Sequence, residues 1–473
     1  MLFSGLEFLF RFLPVFMLIY LVVPAKYRNL VLLAGSLVFY GVGEPYFVLL
    51  LVFSILINYA LSQYMFWEPR SPQQNRKKKR AKRRKRALAI SLVIDFGLLF
   101  VFKYWDFAAG TVNGLVGWDI APLLALALPL GISFYTFQIV SYQIDCYRGT
   151  IQEPAGFVQF AAYVSMFPQL IAGPIVRYDE VADRMKSRKI GVRSLENGLK
   201  LFTFGLGLKV LLANQIGTLW NTIMTAGAGN LHMAVAWLGA VAYSFQIYFD
   251  FWGYSVMAMG LGRMLGFRLP RNFDSPYASR SIAEFWRRWH MTLGRWFREY
   301  LYFPLGGSRK GKLRTVFNLF VVWTCTGLWH GADWNFVLWG LLFFVILTIE
   351  KNSFGKFLEH SRVLGHIYTL VIIPITWVVF AITDMGQLSA YLGNMFGIHE
   401  SEILVGTQQL MRYLKEYCVL LIACIVFATP FPAKLYNKFR DRWFTIVILL
   451  VIFWFSVHEI MVGNNNPFLY FRF

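Results

Sequence analysis

The stretch TVFNLFVVWTCTGLWHGADWNFVLWGLLFFVILTI, residues 315–349, decides how this chain must fold. As one continuous helix it would run about 52 Å at ~1.5 Å per residue, whereas the hydrocarbon core of a bilayer is about 30 Å thick. Basic residues place both flanks on the same side, so the segment is expected to double back or to cross very obliquely. Its midpoint is Gly327-Leu328-Trp329-His330-Gly331. An imidazole therefore sits at depth, beside two glycines that permit a bend or a close backbone approach.

The rest of the chain fits a membrane protein. Hydrophobic residues make up 57% of the sequence and charged ones 15%, against roughly 25% charged in soluble domains. Water cannot accommodate that apolar surface, but lipid can. The reading is an all-α polytopic membrane protein, one membrane-embedded domain over residues 1–473. Apolar segments are read at 6–23, 29–43, 46–66, 87–107, 122–143, 156–176, 196–223, 232–262, 315–349, 363–383, 409–430 and 443–462. A span needs about 20 residues, so these give about eleven transmembrane helices plus re-entrant or interfacial pieces. No cleavable signal peptide is expected.

The net charge of +21 is concentrated locally: from Arg76 to Arg86 every residue except Ala81 is Lys or Arg. Such a block beside an apolar span is expected to hold a polybasic loop, 70–86, on the cytoplasmic side and to attract anionic lipid. Without aromatic interleaving or a basic fold around it, nucleic acid is not an expected partner. The basic stretches 177–193, 305–314 and 434–442 also read as inside, and 384–408, which lacks Lys and Arg, as outside. Counting spans from these puts both termini outside. Cys146, Cys325, Cys418 and Cys424 form no CxxC pair and read as buried thiols.

Residues 284–302 differ from the spans. Trp286, Trp289, Leu293, Trp296 and Tyr300 recur at helical spacing, with Arg287, Arg288, Arg295 and Arg298 on the other side. This pattern predicts one helix lying in the interface plane, with His290 at the edge of its apolar stripe.

Ionisable groups at membrane depth point to function. His330 is best placed for chemistry; a buried histidine bonded to a helix carbonyl is the alternative, and for His290 an ordinary interfacial histidine is the alternative. No HExxH or Cys pair is present and no metal is expected; no GxSxG elbow occurs either. A histidine kept neutral by burial could take the proton from a hydroxyl attacking a thioester. Arg287, Arg288, Arg295 and the 309–312 loop could meet the phosphates of a donor such as acetyl-CoA, although for any single one of them snorkelling toward head groups is the favoured reading.

The run FWRRWHMTLGRWFREYLYFPLGGSRKG (285–311), followed by GLWHGADWNFVLWG (327–340), resembles the membrane-bound O-acyltransferase family in its bacterial alginate O-acetylase branch. GISFYTFQIVSYQIDCYRG (131–149), MFPQLIAGPIVRY (166–178), GEP (43–45) and the terminal NPFLYFRF (466–473) are similar to the same branch. The resemblance implies a helix bundle in which a cytoplasmic and an outer funnel meet at a throat. It makes His330 the catalytic histidine and His290 the second signature histidine, with Trp289 among the donor-binding residues and Trp329, Asn335 and Asn318 lining the throat. It further implies acetyl-CoA as acyl-donor substrate with no bound cofactor, a secreted or cell-envelope polysaccharide as acceptor, an extracytoplasmic SGNH-type acetyltransferase as partner, and a bacterial inner-membrane location.

The tail, residues 464–473, is similar to the F-x-Y-F-x-F ending of bacterial envelope acylation systems, which implies that Tyr470 carries the acyl group. A phenol with pKa near ~10 is close to a thiol near ~8.5 as a leaving group, so thioester-to-aryl-ester transfer is nearly thermoneutral. The alternative is an aromatic interfacial belt. Three other activities stay open: D-alanyl transfer, lipid acylation, and polysaccharide or lipid transport.

Overall fold

The structure is a computed structural model and describes residues 1–67, 76–398, 405–463 and 468–469. Among these residues the regular structure is helical; a single bridge between Leu231 and Val405 is the sole β-type pairing. Among the described residues six helices are long and apolar enough to cross a bilayer: 47–66, 77–116, 192–225, 334–352, 362–381 and 443–461. A seventh crossing is obtained if Thr407–Ala428 and Phe431–Phe439, which meet at a 74° bend, count as one. Eleven crossings are thus not seen by length and apolarity, because several expected spans are interrupted. The protein is a multi-pass membrane protein.

The chain divides into two compact units. The first comprises Met1–Leu199 and Ala258–Pro270. Its core packs helices α1 (Arg28–Gly43), α2 (Phe47–Phe66), α3 (Arg76–Leu99), α4 (Ile132–Arg148) and α5 (Phe157–Ser165). Three expectations are corrected here. The basic block from Arg76 is not a loop but the opening turns of α3, since Lys and Arg are good helix formers. Arg84 of that block donates to the Tyr147 carbonyl at 2.7 Å, satisfying an open carbonyl at the end of α4. The segment 122–143 is not one span: Pro122 and Pro129 break it, residues 118–129 are non-helical, and α4 begins only at Ile132. Backbone N–H groups of Leu124 and Ala125 in that break donate to the Asp106 carboxylate at 2.7 and 2.9 Å. Helix α4 is then buried on nearly all sides, an interior helix rather than a lipid-facing one. Finally, 156–176 is broken at Met166, where α5 gives way to a short Phe167–Leu170 turn containing Pro168.

The second unit comprises Lys200–Met257 and Arg271–Phe473. It carries most of helix α6 (Met233–Met264), then α7 (Ile282–Arg288), α8 (Met291–Phe297), α9 (Lys312–His330), α10 (Trp334–Asn352) and α11 (Arg362–Ala381). The expected doubling back of 315–349 is present. Helix α9 ends at His330, three residues turn the chain, and α10 returns along it. Two glycines set that contact: a Cβ on Gly340 would lie 2.5 Å from the Trp323 carbonyl oxygen, and one on Gly327 would strike the Phe336 carbonyl. Only hydrogen at these positions lets the two backbones approach so closely.

The interfacial helix expected over 284–302 is corrected as well. Helix α7 stops at Arg288, α8 starts at Met291, and a π-helix covers Arg298–Tyr302. The break falls on His290, whose backbone is left-handed at φ 44°. The predicted stripe faces protein instead of lipid, because Trp289, Leu293, Trp296 and Tyr300 are all buried.

Candidate active site

His330 is the last residue of α9, at the tip of the glycine-packed hairpin. Its ring is 4% exposed as a residue and is walled by edge-on aromatics. The centroid lies 5.1 Å from Trp339 and 5.3 Å from Phe380, with interplanar angles of 84° and 82°. An edge-on aromatic wall fixes an imidazole in orientation while keeping water out of its surroundings. Asn335, on the first turn of α10, donates to the Val379 and Phe380 carbonyls at 3.2 and 3.0 Å. That ties α10, the return helix of the hairpin, to the end of α11 and holds Phe380 against His330.

Trp329 joins the two signature histidines. Its ring is 5.0 Å from His330 and 5.8 Å from His290, centroid to centroid. Residues 40 positions apart in the chain thus share one aromatic neighbour. His290 is buried at 2% exposure rather than lying at the edge of an interfacial stripe. Phe251 meets its ring edge-on at 4.6 Å.

The left-handed backbone at His290 costs a non-glycine residue roughly 1–2 kcal/mol and persists because Asn272 holds it from both ends. The Asn272 carbonyl accepts the Met291 N–H at 2.9 Å. Its side-chain Oδ1 accepts from the Thr292 N–H at 3.3 Å and from the Thr292 hydroxyl at 2.9 Å. One residue remote in sequence thereby caps α8. The same Oδ1 lies 3.1 Å from His290 Nδ1. A backbone N–H can only donate, so this atom is the amide oxygen, and His290 must donate to it from Nδ1. In the neutral ring the lone pair is then on Nε2. Burial pushes the imidazole down to about 3, so His290 is neutral at physiological pH.

The other proposed site residues separate. Trp289 is 1% exposed, packed against Trp377 at 4.8 Å and Phe273 at 5.0 Å; it is a core aromatic with no face left for a donor. Arg288 is engaged by Glu284 at 2.6 Å, while Arg287 is exposed and Arg295 partly so. Asn318 donates to the Gly307 carbonyl at 2.8 Å; twelve residues before His330 on the same helix, it is about 18 Å away along the axis. Tyr470 lies outside the described residues. Among the described residues no three His, Cys, Asp or Glu side chains gather as metal ligands.

Phe468, in the described part of the tail, does reach this neighbourhood. Phe468 stacks on Tyr254 at 4.8 Å and tilts against Phe251 at 5.8 Å, next to the ring that meets His290. Sequence reasoning missed Asn272, Phe251 and Tyr254. Asn272 carries no signal of its own in the sequence.

Residues 48–383 match the model of the membrane-bound O-acyltransferase family. The chain belongs to that family. It is an acyltransferase. Across its full length it is 33% identical to a probable alginate O-acetylase of Pseudomonas putida, also over that protein's full length. It is 39% identical to a probable alginate O-acetylase of Pseudomonas aeruginosa, over 80% of this chain and 72% of that one. The peptidoglycan O-acetyltransferase of Helicobacter pylori is 32% identical over 100% of this chain and 98% of its own.

Proposed function

We propose that this acyltransferase moves an acetyl group from cytoplasmic acetyl-CoA through the membrane for O-acetylation of a cell-envelope or secreted polysaccharide, with His330 as general base. The observation that carries the reading is the pair of buried histidines bridged by Trp329 at the tip of a glycine-packed hairpin. Relatives named as acetylating alginate and peptidoglycan support a polysaccharide acceptor.

In the first transfer, His330 takes the proton of the Tyr470 hydroxyl as its oxygen attacks the thioester carbonyl. The carbon–sulfur bond breaks, an aryl ester forms, and CoA thiolate leaves with the proton carried by the imidazolium. An extracytoplasmic acetyltransferase of the SGNH type then moves the acetyl group to a sugar hydroxyl and regenerates the phenol. Neutral His290, fixed by Asn272, orients the Trp329 wall of the site. Arg287 and Arg295 meet the donor's phosphates. The reading takes about eleven crossings, with re-entrant pieces making up those the long helices lack, both termini outside, and cytoplasmic and outer funnels meeting at a throat beside His330.

Full-length protein in proteoliposomes, supplied with labelled acetyl-CoA, should release free CoA, and His330→Ala should abolish that release. A transporter would move solute without releasing CoA, and CoA release that survives His330→Ala would sink the assignment. Tyr470→Phe separately tests the relay, since undiminished acetylation of polymer would mean direct transfer to the partner.

A further inference from the structure

Among the buried ionisable side chains outside the histidine pair, Lys209 at 4% and Asp250 at 1% exposure are paired with each other in apolar helical sequence. They form an ion pair at 2.5 Å. Lys209 stands on a π-helix, Leu208–Asn214, and also donates to Asn214 Oδ1 at 2.8 Å; π-turns recur at functional sites. One helical turn away the backbones meet through glycine. A Cβ on Gly205 would lie 2.6 Å from the Gly253 carbonyl oxygen, and one on Gly253 2.8 Å from that of Gly205. The close approach brings Lys209 within reach of Asp250.

A buried ion pair costs more in desolvation than its own attraction returns unless further bonds complete it, and at membrane depth such groups are rare without a task. The carboxylate here has one. While Oδ1 faces Lys209, Oδ2 accepts the backbone N–H of Leu469 at 2.8 Å. An acceptor for a main-chain N–H fixes the register of a segment regardless of its side chain, and the charge makes that bond a strong one. Phe468 adds the side-chain component: it is 2% exposed, lying on Tyr254 and against Phe251, which in turn contacts His290.

We propose that the Lys209–Asp250 pair is a clamp for the chain's own C-terminal tail, locking Phe468 and Leu469 in register beside the Phe251–His290 contact. Both residues are positioning residues. On the acyl-relay reading above, on which this clause alone rests, the clamp serves to present the next residue in the chain, Tyr470.

The test is carboxypeptidase digestion of the full-length protein in detergent, followed by mass spectrometry of the terminal peptide. Lys209→Met combined with Asp250→Leu removes both charges together and leaves no orphan ion. Its tail should be trimmed at least tenfold faster than wild type at an unchanged melting temperature, and CoA release should fall at least tenfold in kcat with an unchanged KM for acetyl-CoA. Trimming at the wild-type rate overturns the clamp. Should the double variant not fold, hydrogen exchange in the wild-type protein decides: the Leu469 amide should exchange at least a hundredfold slower than in an unstructured peptide, and coil-like exchange overturns the proposal. Tyr470→Phe leaves the clamp intact. Full transfer activity in that variant, together with fast trimming of the double variant, retires the relay and keeps the clamp.

Discussion

Replacing Gly340 by Ala should damage catalysis from the far side of the hairpin. The new Cβ would lie 2.5 Å from the Trp323 carbonyl oxygen, whereas ordinary van der Waals contact begins at 3.4 Å. Helices α9 and α10 must therefore part by roughly 1 Å, since backbone atoms on both sides leave no flexible side chain to give way. Overpacking of this kind costs about 1–3 kcal/mol. Helix α9 carries His330, and a shift of about 1 Å in a catalytic group can cost on the order of a hundredfold in rate. The variant should thus lose about a hundredfold in CoA release in proteoliposomes while its melting temperature in detergent falls only moderately. Gly110→Ala is the control, because a Cβ there meets nothing within 4 Å, and it should behave as wild type. Wild-type turnover by Gly340→Ala at wild-type stability would refute the claim that glycine contact positions the imidazole.

Three further outcomes follow from His290 and the residue that holds it. Its folded-state pKa of about 3 lies below the ordinary 6.5, so the unfolded chain binds the proton more readily; the stability is fully present above pH 6.5 and is lost as pH falls from there towards 3. At about 1.4 kcal/mol per unit, roughly 2 kcal/mol should be gone at pH 5, and His290→Gln should flatten the pH dependence of unfolding in that window; equal slopes in the two proteins would refute the shift. Asn272→Leu removes the one oxygen that meets His290 Nδ1, the Thr292 N–H and the Thr292 hydroxyl, and at about 0.5–1.5 kcal/mol for each hydrogen bond lost should destabilise the protein by several kcal/mol, read by denaturant unfolding. Asn272→Asp keeps the acceptor but sets a carboxylate beside the ring, favouring imidazolium, and should therefore move the acidic limb of the pH–rate profile upward, which a kcat/KM series would read.

The sequence by itself determined the class of the protein and the tip of the hairpin. A 35-residue apolar run is too long for one straight crossing, so a doubling back or a very oblique path was expected with Gly327–Gly331 at its midpoint, and the chain turns immediately after His330. Length against bilayer thickness is a one-dimensional quantity, and the sequence carries it in full. The same count exceeds the six or seven long apolar helices among the described residues, because hydropathy cannot tell a lipid-facing helix from α4, buried nearly all round, or from a proline-broken apolar segment such as 122–131. Lys209 and Asp250 could have been found by the rule that singled out His330, since each interrupts an apolar stretch. Only the tertiary structure decided the rest. Helical periodicity over 284–302 pointed to one surface helix, and Asn272 overrode it by capping α8 from outside and holding His290 left-handed. The meeting of His290 with Trp329, and of Phe468 with Phe251, joins residues with no local relation in the chain. Such contacts are set by how helices pack in three dimensions, which spacing along the chain does not encode.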